Sequence, residues 1–257
     1  MSGLFLKRSA GSIVVVCLFL FGVFFSCSTE EEVTPSKSEP SRELVDFLVN
    51  SGFHEDEIKF EDGLFIIDED ILISETEVRN YLADQKPVAG GRAEHWRGTY
   101  IVSDTYVTNI KFFIGSDVSS SWATAIRGAI DQWNAVNGTK LFMSEVTSSG
   151  AANTVIGTSY SSQNWVARAY LPSSRRRPGH SITINTKYNS LNSSYKLFTI
   201  VHEMGHVFGL YHTDQTQGIF INGTPSVDPN SVMNSYVLPW NGFTSGDVSA
   251  VQILYPE

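Results

Sequence analysis

Residues His202 to His212 read HEMGHVFGLYH, and their spacing describes a metal clamp with a base beside it. On an α-helix, His202 and His206 differ by roughly 40° in angle and about 6 Å along the axis, so both imidazoles face one point. On a continued helix His212 would sit about 15 Å along the axis from His202, far beyond a Zn–N bond of roughly 2.0–2.1 Å. The chain must therefore turn back. Gly209 is where it can do so, because glycine takes the positive φ of a left-handed helix end at no steric cost. His212 then becomes the third ligand. Three neutral imidazoles leave a zinc ion its full charge and an open position for water, whose pKa such a site pulls toward about 7. Glu203, next to the first ligand, is placed to take that water's proton and hand it to a leaving amine. A structural zinc site would be closed by a fourth protein ligand and usually rich in cysteine, yet the two cysteines, Cys17 and Cys27, lie far away in sequence. The chemistry implied is amide hydrolysis with one catalytic Zn2+ as cofactor. Structural Ca2+ sites are not legible.

Zinc peptidases that resemble thermolysin take a downstream glutamate as third ligand, but after His212 the only glutamate is Glu257. The His202, His206, Gly209, His212 pattern instead resembles the metzincins, a likeness that implies a methionine turn beneath the metal. Ser231, Val232, Met233, Asn234, Ser235 and Tyr236 match it, with Met233 as an apolar floor that does no chemistry. Within that group the chain is most similar to the bacterial dual-action HEIGH metallopeptidases, with matrixins and astacins more distant. His202-Glu203-Met204-Gly205-His206, the following His212-Thr213-Asp214, and the end from Trp240 to Pro256 carry this likeness. It implies an α+β catalytic domain with a twisted, mostly parallel sheet, a backing helix, a zinc-binding active-site helix and a C-terminal helix, and a zinc endopeptidase acting on polypeptides. Tyr236 departs from the astacin pattern, standing three residues after Met233 rather than two, so its role as ligand or oxyanion donor stays open. Asp214 has two readings: it orients His212 or a loop amide, or it is an exposed turn residue.

Both ends of the chain differ from its middle. Lys7 and Arg8 precede an apolar stretch from Ile13 to Phe25, too short for a comfortable membrane span, which reads as a signal peptide over residues 1–26. Phe24-Phe25-Ser26-Cys27 resembles a lipobox, which implies lipidation of Cys27 and membrane attachment; ordinary secretion is the alternative. Cys17 would be discarded, leaving no disulfide. Residues 27–40 read as a flexible acidic tether. The location implied is the outer membrane or cell surface of a bacterium, otherwise secretion. A monomer is expected.

The acidity sits at the front. Residues 28–95 hold 18 Asp and Glu against 6 Lys and Arg, net −12, whereas residues 96–257 hold 9 against 10, net +1. Residues 41–95 read as a small folded acidic segment, with helices at Ser41–Leu48 and Ser74–Leu82 and strands at Leu64–Ile67 and Ile71–Ile73. Such a segment could be an inhibitory pro-segment, placing a carboxylate on the zinc or pairing with Arg175, Arg176 and Arg177, or it could be a structural or binding unit. Asp62 and His54 are the candidate blockers. With no cysteine in 41–95, a thiolate latch is disfavoured.

Residues 96–257 form the expected catalytic domain. Strands are predicted at Ile101–Val107, Ile110–Ile114, Leu141–Val146, Thr154–Thr158, Ala167–Leu171 and Ile182–Asn185. An amphipathic helix over Ser120–Val136 buries Trp122, Ile126, Ala129, Ile130 and Trp133, and a last helix covers Ser245–Leu254. The zinc helix starts after Ser193 or Ser194 as its cap. Ala167–Leu171 is the expected sheet edge on which a peptide substrate would lie as an added strand, and Asn234–Trp240 the wall of the pocket beyond the scissile bond. His54, His95 and His180 have no partner at metal spacing and read as surface or loop histidines. Net charge −9 and the absence of a basic face exclude a nucleic-acid partner. The remaining alternative is a catalytically inactive surface lipoprotein that binds proteins or glycans through the same fold, against which Glu203 argues.

Overall fold

A computed structural model describes residues 39–84, 95–225 and 228–257, which belong to one compact unit, Lys37–Glu257. The expected signal peptide, the acidic tract and Cys27 lie outside the described residues. No described helix is long and apolar enough to cross a membrane.

The zinc run is carried by a helix that is buried along most of its length. Helix α5, Ser193–Phe208, follows in the chain after α1 Arg42–Asn50, α2 Glu75–Ala83, a one-turn α3 at Asp104–Val107 and α4 Ser120–Asn134. Everything in α5 from Phe198 onward is buried, as expected of a helix enclosed by protein all round. Asn192, rather than Ser193 or Ser194, caps it: the Asn192 side chain accepts from the amides of Ser194 at 3.1 Å and Tyr195 at 3.2 Å, satisfying two of the orphan donors at a helix start. Helix α4 backs α5 through the apolar stripe read from the sequence. Trp122, Ile126, Ala129, Ile130 and Trp133 are all buried, and the Trp133 indole donates to the Val201 carbonyl of α5 at 3.1 Å. Burial of each such large side chain contributes about 1.5–3 kcal/mol.

Among the described residues ten strands accompany these helices: β1 Ile58–Glu61, β2 Leu64–Ile67, β3 Ile71–Ser74, β4 Trp96–Arg97, β5 Ile110–Ile114, β6 Met143–Val146, β7 Thr154–Ser159, β8 Ala167–Tyr170, β9 Ser181–Asn185 and β10 Ile219–Phe220. Eight form one sheet in the order β1-β2-β3-β8-β9-β7-β5-β6. The joins β6–β5, β5–β7, β7–β9 and β3–β8 are parallel, and β9–β8, β3–β2 and β2–β1 antiparallel. The fold is thus α+β with a mostly parallel sheet, a backing helix, the active-site helix and a C-terminal helix α6, Ser245–Leu254.

Two expectations change. Residues 101–107 are not a strand: their alternating apolar residues split into a loop and the single turn α3, with Ser103 at its N-cap position. Ala167–Leu171 is not a free edge either. Strand β3 occupies it, with Ile71 opposite Ala169 and Leu72 opposite Tyr170, so the acidic front segment continues the sheet. It also shares a second core, in which Leu44, Leu48, Phe65, Ile67, Ile71 and Val78 pack with Trp96, Tyr100, Leu171 and Tyr211.

Two tight turns of the front segment matter for the site. Asp62 (φ 50°) and Gly63 (φ 78°) make the Asp-Gly turn joining β1 to β2, the pairing that two consecutive left-handed residues favour. The next turn repeats this conformation at Asp68 (φ 51°) and Glu69 (φ 74°), where neither residue is glycine and each costs on the order of 1–3 kcal/mol. That strained turn is aimed at the zinc helix.

Candidate active site

Helix α5 ends where the sequence requires. Gly209 adopts φ 114°, ψ 14° and its amide bonds the Gly205 and His206 carbonyls. The chain reverses there and brings His212 back, so the ring centroids of His202, His206 and His212 lie 4.6–5.2 Å apart. Alanine at 209 would carry the left-handed cost of roughly 1–2 kcal/mol and press its Cβ against Ile101 and the Tyr100 carbonyl at 3.1–3.3 Å. Gly209→Ala is therefore expected to lower unfolding stability by about 1–3 kcal/mol and weaken zinc retention, read by denaturant titration and chelator competition. Unchanged values in both would show that the reversal does not depend on glycine.

Every ring is oriented by its outer nitrogen. His202 Nδ1 lies 2.8 Å from the Val232 carbonyl, His206 Nδ1 2.8 Å from the Leu210 carbonyl, and His212 Nδ1 3.1 Å from Asp68 Oδ2. Donating to acceptors, these nitrogens carry the protons, which leaves the Nε2 atoms of His202 and His206 as lone-pair donors, while His212 Nε2, 3.2 Å from Asp70 Oδ2, would give up a proton to a bound metal; such outer partners are what metal-ligating histidines need. His202 Nε2 and His206 Nε2 then face each other at 2.9 Å, an arrangement of two lone pairs that a shared cation relieves. The residues fit one zinc ion. Burial, and then the neighbouring His202, hold His206 well below the ordinary histidine range, so it is a neutral donor. Burial opposes protonation of His212, but Asp70 and then Asp68 raise it to about 10, making it the most basic of the three.

Glu203 is 2 % exposed, and burial, with the Asp70 charge second, pushes its carboxyl well above the ordinary carboxylate range. Its Oε2 has no hydrogen-bond partner within the protein, as befits a group that works on a substrate or a water. Met233 is fully buried, and its sulfur packs where a side chain at Gly205 would stand. The cleft in front, about 260 Å3, is lined by His202, Glu203, Trp165 and Asn234–Val237.

Tyr236 is half exposed on the wall of this cleft, and its hydroxyl lies 3.5 Å from the Pro229 carbonyl. Asp214 accepts from the amide and hydroxyl of Ser235 at 3.0 and 2.6 Å, so it fixes the loop after Met233 and leaves His212 to Asp68. His54 is exposed and Asp62 is spent in its turn, so neither blocks the site. His180 is exposed, as expected, but His95 is 1 % exposed and lies beside Asp228 and Asp247.

Sequence reasoning missed Asp68 and Asp70. Asp70 Oδ2 lies 3.2 Å from His212 Nε2 and 3.3 Å from His202 Nε2, and with the three histidines forms one potential metal-binding cluster. Burial works against its charge, yet His212 and His202 hold it well below the ordinary carboxylate range. Asp68 is further bound by Gln217 Nε2, and its other neighbour is Glu57. The signal available was composition: three consecutive acids, Asp68-Glu69-Asp70, between two apolar runs.

Glu57 keeps its proton up to about 7, because it hydrogen-bonds Asp68 and, secondarily, because burial and the Asp68 charge disfavour ionisation. A folded pKa above the ordinary value of 4.5 means that the contribution of protonated Glu57 is complete below pH ~4.5 and is lost as pH rises through ~7. The Tm of the full chain is expected to fall across that window, and Glu57→Gln, which cannot ionise, to flatten the fall. An identical slope in both proteins would remove Glu57 as its cause.

Comparison with known proteins places this geometry in context. The sequence matches the family model described as dual-action HEIGH metallo-peptidase over residues 65–218, more than half of the chain. No curated protein matches significantly. Among solved structures, high choriolytic enzyme 1, a hatching enzyme zinc-protease from the medaka fish Oryzias latipes, is similar with a TM-score of 0.41 at 16 % identity, covering 61 % of this chain and 93 % of that one. Myroilysin is similar with a TM-score of 0.43 at 12 % identity, covering 66 % and 94 % respectively.

Proposed function

Since the chain belongs to the dual-action HEIGH metallo-peptidases, and so is a zinc metallopeptidase, we propose that it is an exported endopeptidase which its own acidic front segment keeps latent. The observation that supports the catalytic part is the convergence of three Nε2 atoms, each outer nitrogen committed to an acceptor, beside the unpartnered Oε2 of Glu203. Bound zinc would supply a Lewis acid that polarises the scissile carbonyl and acidifies a water. Glu203 takes the proton from the attacking water and passes it to the departing nitrogen. The Met233 floor and the carbonyls of Val232 and Leu210 hold the imidazoles still, so little reorganisation accompanies the reaction.

Latency rests on two contacts. Asp70 stands against the Nε2 atoms of His202 and His212, where an attacking water would have to be. Strand β3 fills the edge of β8 on which a peptide would lie. Full release requires both to leave, and loss of either gives part of it. Export follows from the signal-like residues 1–26, and attachment from lipidation of Cys27, with extracellular polypeptides as the substrates. Labelled fatty acid incorporated by wild type but not by Cys27→Ala would support the anchor; equal labelling would remove it.

Casein digestion by Asp70→Ala, assayed before and after chelation and again after zinc is restored, tests the enzymatic reading. Activity that chelator abolishes and zinc restores is expected. No zinc-dependent cleavage from this variant or from wild type would favour an inactive binding protein.

A further inference from the structure

A second cluster of metal-binding side chains lies away from the zinc run. His95, Asp228 and Asp247 are each less than a tenth exposed, and one donor atom from each lies close to those of the other two. His95 Nε2 is 3.4 Å from Asp247 Oδ1 and 3.5 Å from Asp228 Oδ2. Those separations exceed the 2.7–2.9 Å typical of a charge-assisted N–H···O bond. They match the edge of a tetrahedron, roughly 3.3–3.5 Å for ligand bonds of about 2.0–2.2 Å. The carboxylates are themselves oriented. Ser231 Oγ donates to Asp247 Oδ1 at 2.6 Å, the amides of Val232 and Thr244 donate to Asp247 Oδ2 at 3.1 and 2.9 Å, and Thr244 Oγ1 donates to Asp228 Oδ2 at 2.5 Å. Gly246 supplies an independent sign of a built cradle, since a Cβ there would collide with the Asp228 carboxylate and the His95 ring.

We propose that His95, Asp228 and Asp247 form a second, structural cation site, selective for a divalent first-row transition metal such as zinc. One imidazole and two carboxylates suit that class, and two carboxylates with a neutral imidazole balance a +2 charge that water cannot reach to screen. Its place in the fold gives it a task. It ties the start of the catalytic region at His95 to the loop before the methionine turn at Asp228 and to α6 at Asp247. The same turn offers the Val232 carbonyl to His202 Nδ1, so the distal ion would brace a partner of the catalytic one.

Equilibrium dialysis of the chelator-stripped full chain against zinc, with metal counted by mass spectrometry, tests this. Wild type is expected to hold two zinc ions per chain. His206→Ala should keep one, and Asp228→Asn and His95→Gln should each keep one, with zinc raising the Tm of folded His206→Ala by several degrees. A wild-type count of one that His206→Ala reduces to zero, in protein still folded by circular dichroism, would overturn the distal site and leave the catalytic one standing. A wild-type count that His206→Ala does not change would instead count against the catalytic zinc. Counts of two in both distal variants, or no zinc effect on the Tm of folded His206→Ala, would also overturn the proposal.

Discussion

Glu203→Gln, made in a chain already relieved of its latch by Asp70→Ala, is expected to lose peptidase activity by a factor on the order of 10²–10⁴, the usual contribution of a positioned acid–base group. Glutamine has nearly the same shape but cannot accept the proton of the attacking water or return it to the amine. The zinc count should not change, because Glu203 is not among the grouped donors of His202, His206, His212 and Asp70. The effect should fall on kcat rather than KM, since the group acts on the reaction and not on binding of the peptide. Activity within tenfold of the parent would mean that another base serves the site.

Asp70→Ala in the full chain is expected to raise activity. The carboxylate sits within 3.3 Å of two ligand nitrogens, and a buried charge-assisted contact of this kind contributes about 1.5–3 kcal/mol, equivalent to roughly 10- to 150-fold in the population of the open site. The gain should stop short of full activity, because β3 still covers β8 through Ile71 and Leu72 and the apolar residues 44–78 still pack on Trp96 and Tyr211. Proteolytic removal of the front segment from purified protein should therefore add to the effect. Asp68→Asn is a different change. It removes the charge that orients His212 Nδ1, and should weaken zinc retention along with latency. If Asp70→Ala is no more active than wild type while proteolysis activates it, obstruction by β3 is sufficient and the carboxylate is not the latch.

Why these features differ in legibility follows from sequence separation. The zinc run is local: helix periodicity places His202 and His206, and one glycine returns His212, so the geometry can be read from eleven consecutive residues. The backing helix is equally local, its stripe of Trp122, Ile126 and Trp133 repeating at the helical period. Asp70 meets His212 across 142 positions and His95 meets Asp247 across 152, and no periodicity encodes such pairings. Asp62 was a plausible blocker by composition, but the glycine after it commits it to a hairpin turn, while Asp68 and Glu69 adopt the same conformation without a glycine to announce it. Residues 101–107 misled for a related reason: alternating apolar side chains suit a strand, but Ser103-Asp104 can equally start a helical turn. The strand expected at Ala167–Leu171 is present as Ala167–Tyr170, but it is not the free edge expected of it, because β3, almost a hundred residues earlier, pairs with it, a neighbour recognisable only once the sheet is assembled.

An anomalous diffraction map recorded at the zinc edge from crystals of the full chain decides whether the three imidazoles share one ion. A peak is expected within about 2.0–2.2 Å of Nε2 of His202, His206 and His212 together, with the Asp70 carboxylate at the remaining position. A metal held by His202 and His206 while the His212 ring stands outside bonding range would contradict the shared site.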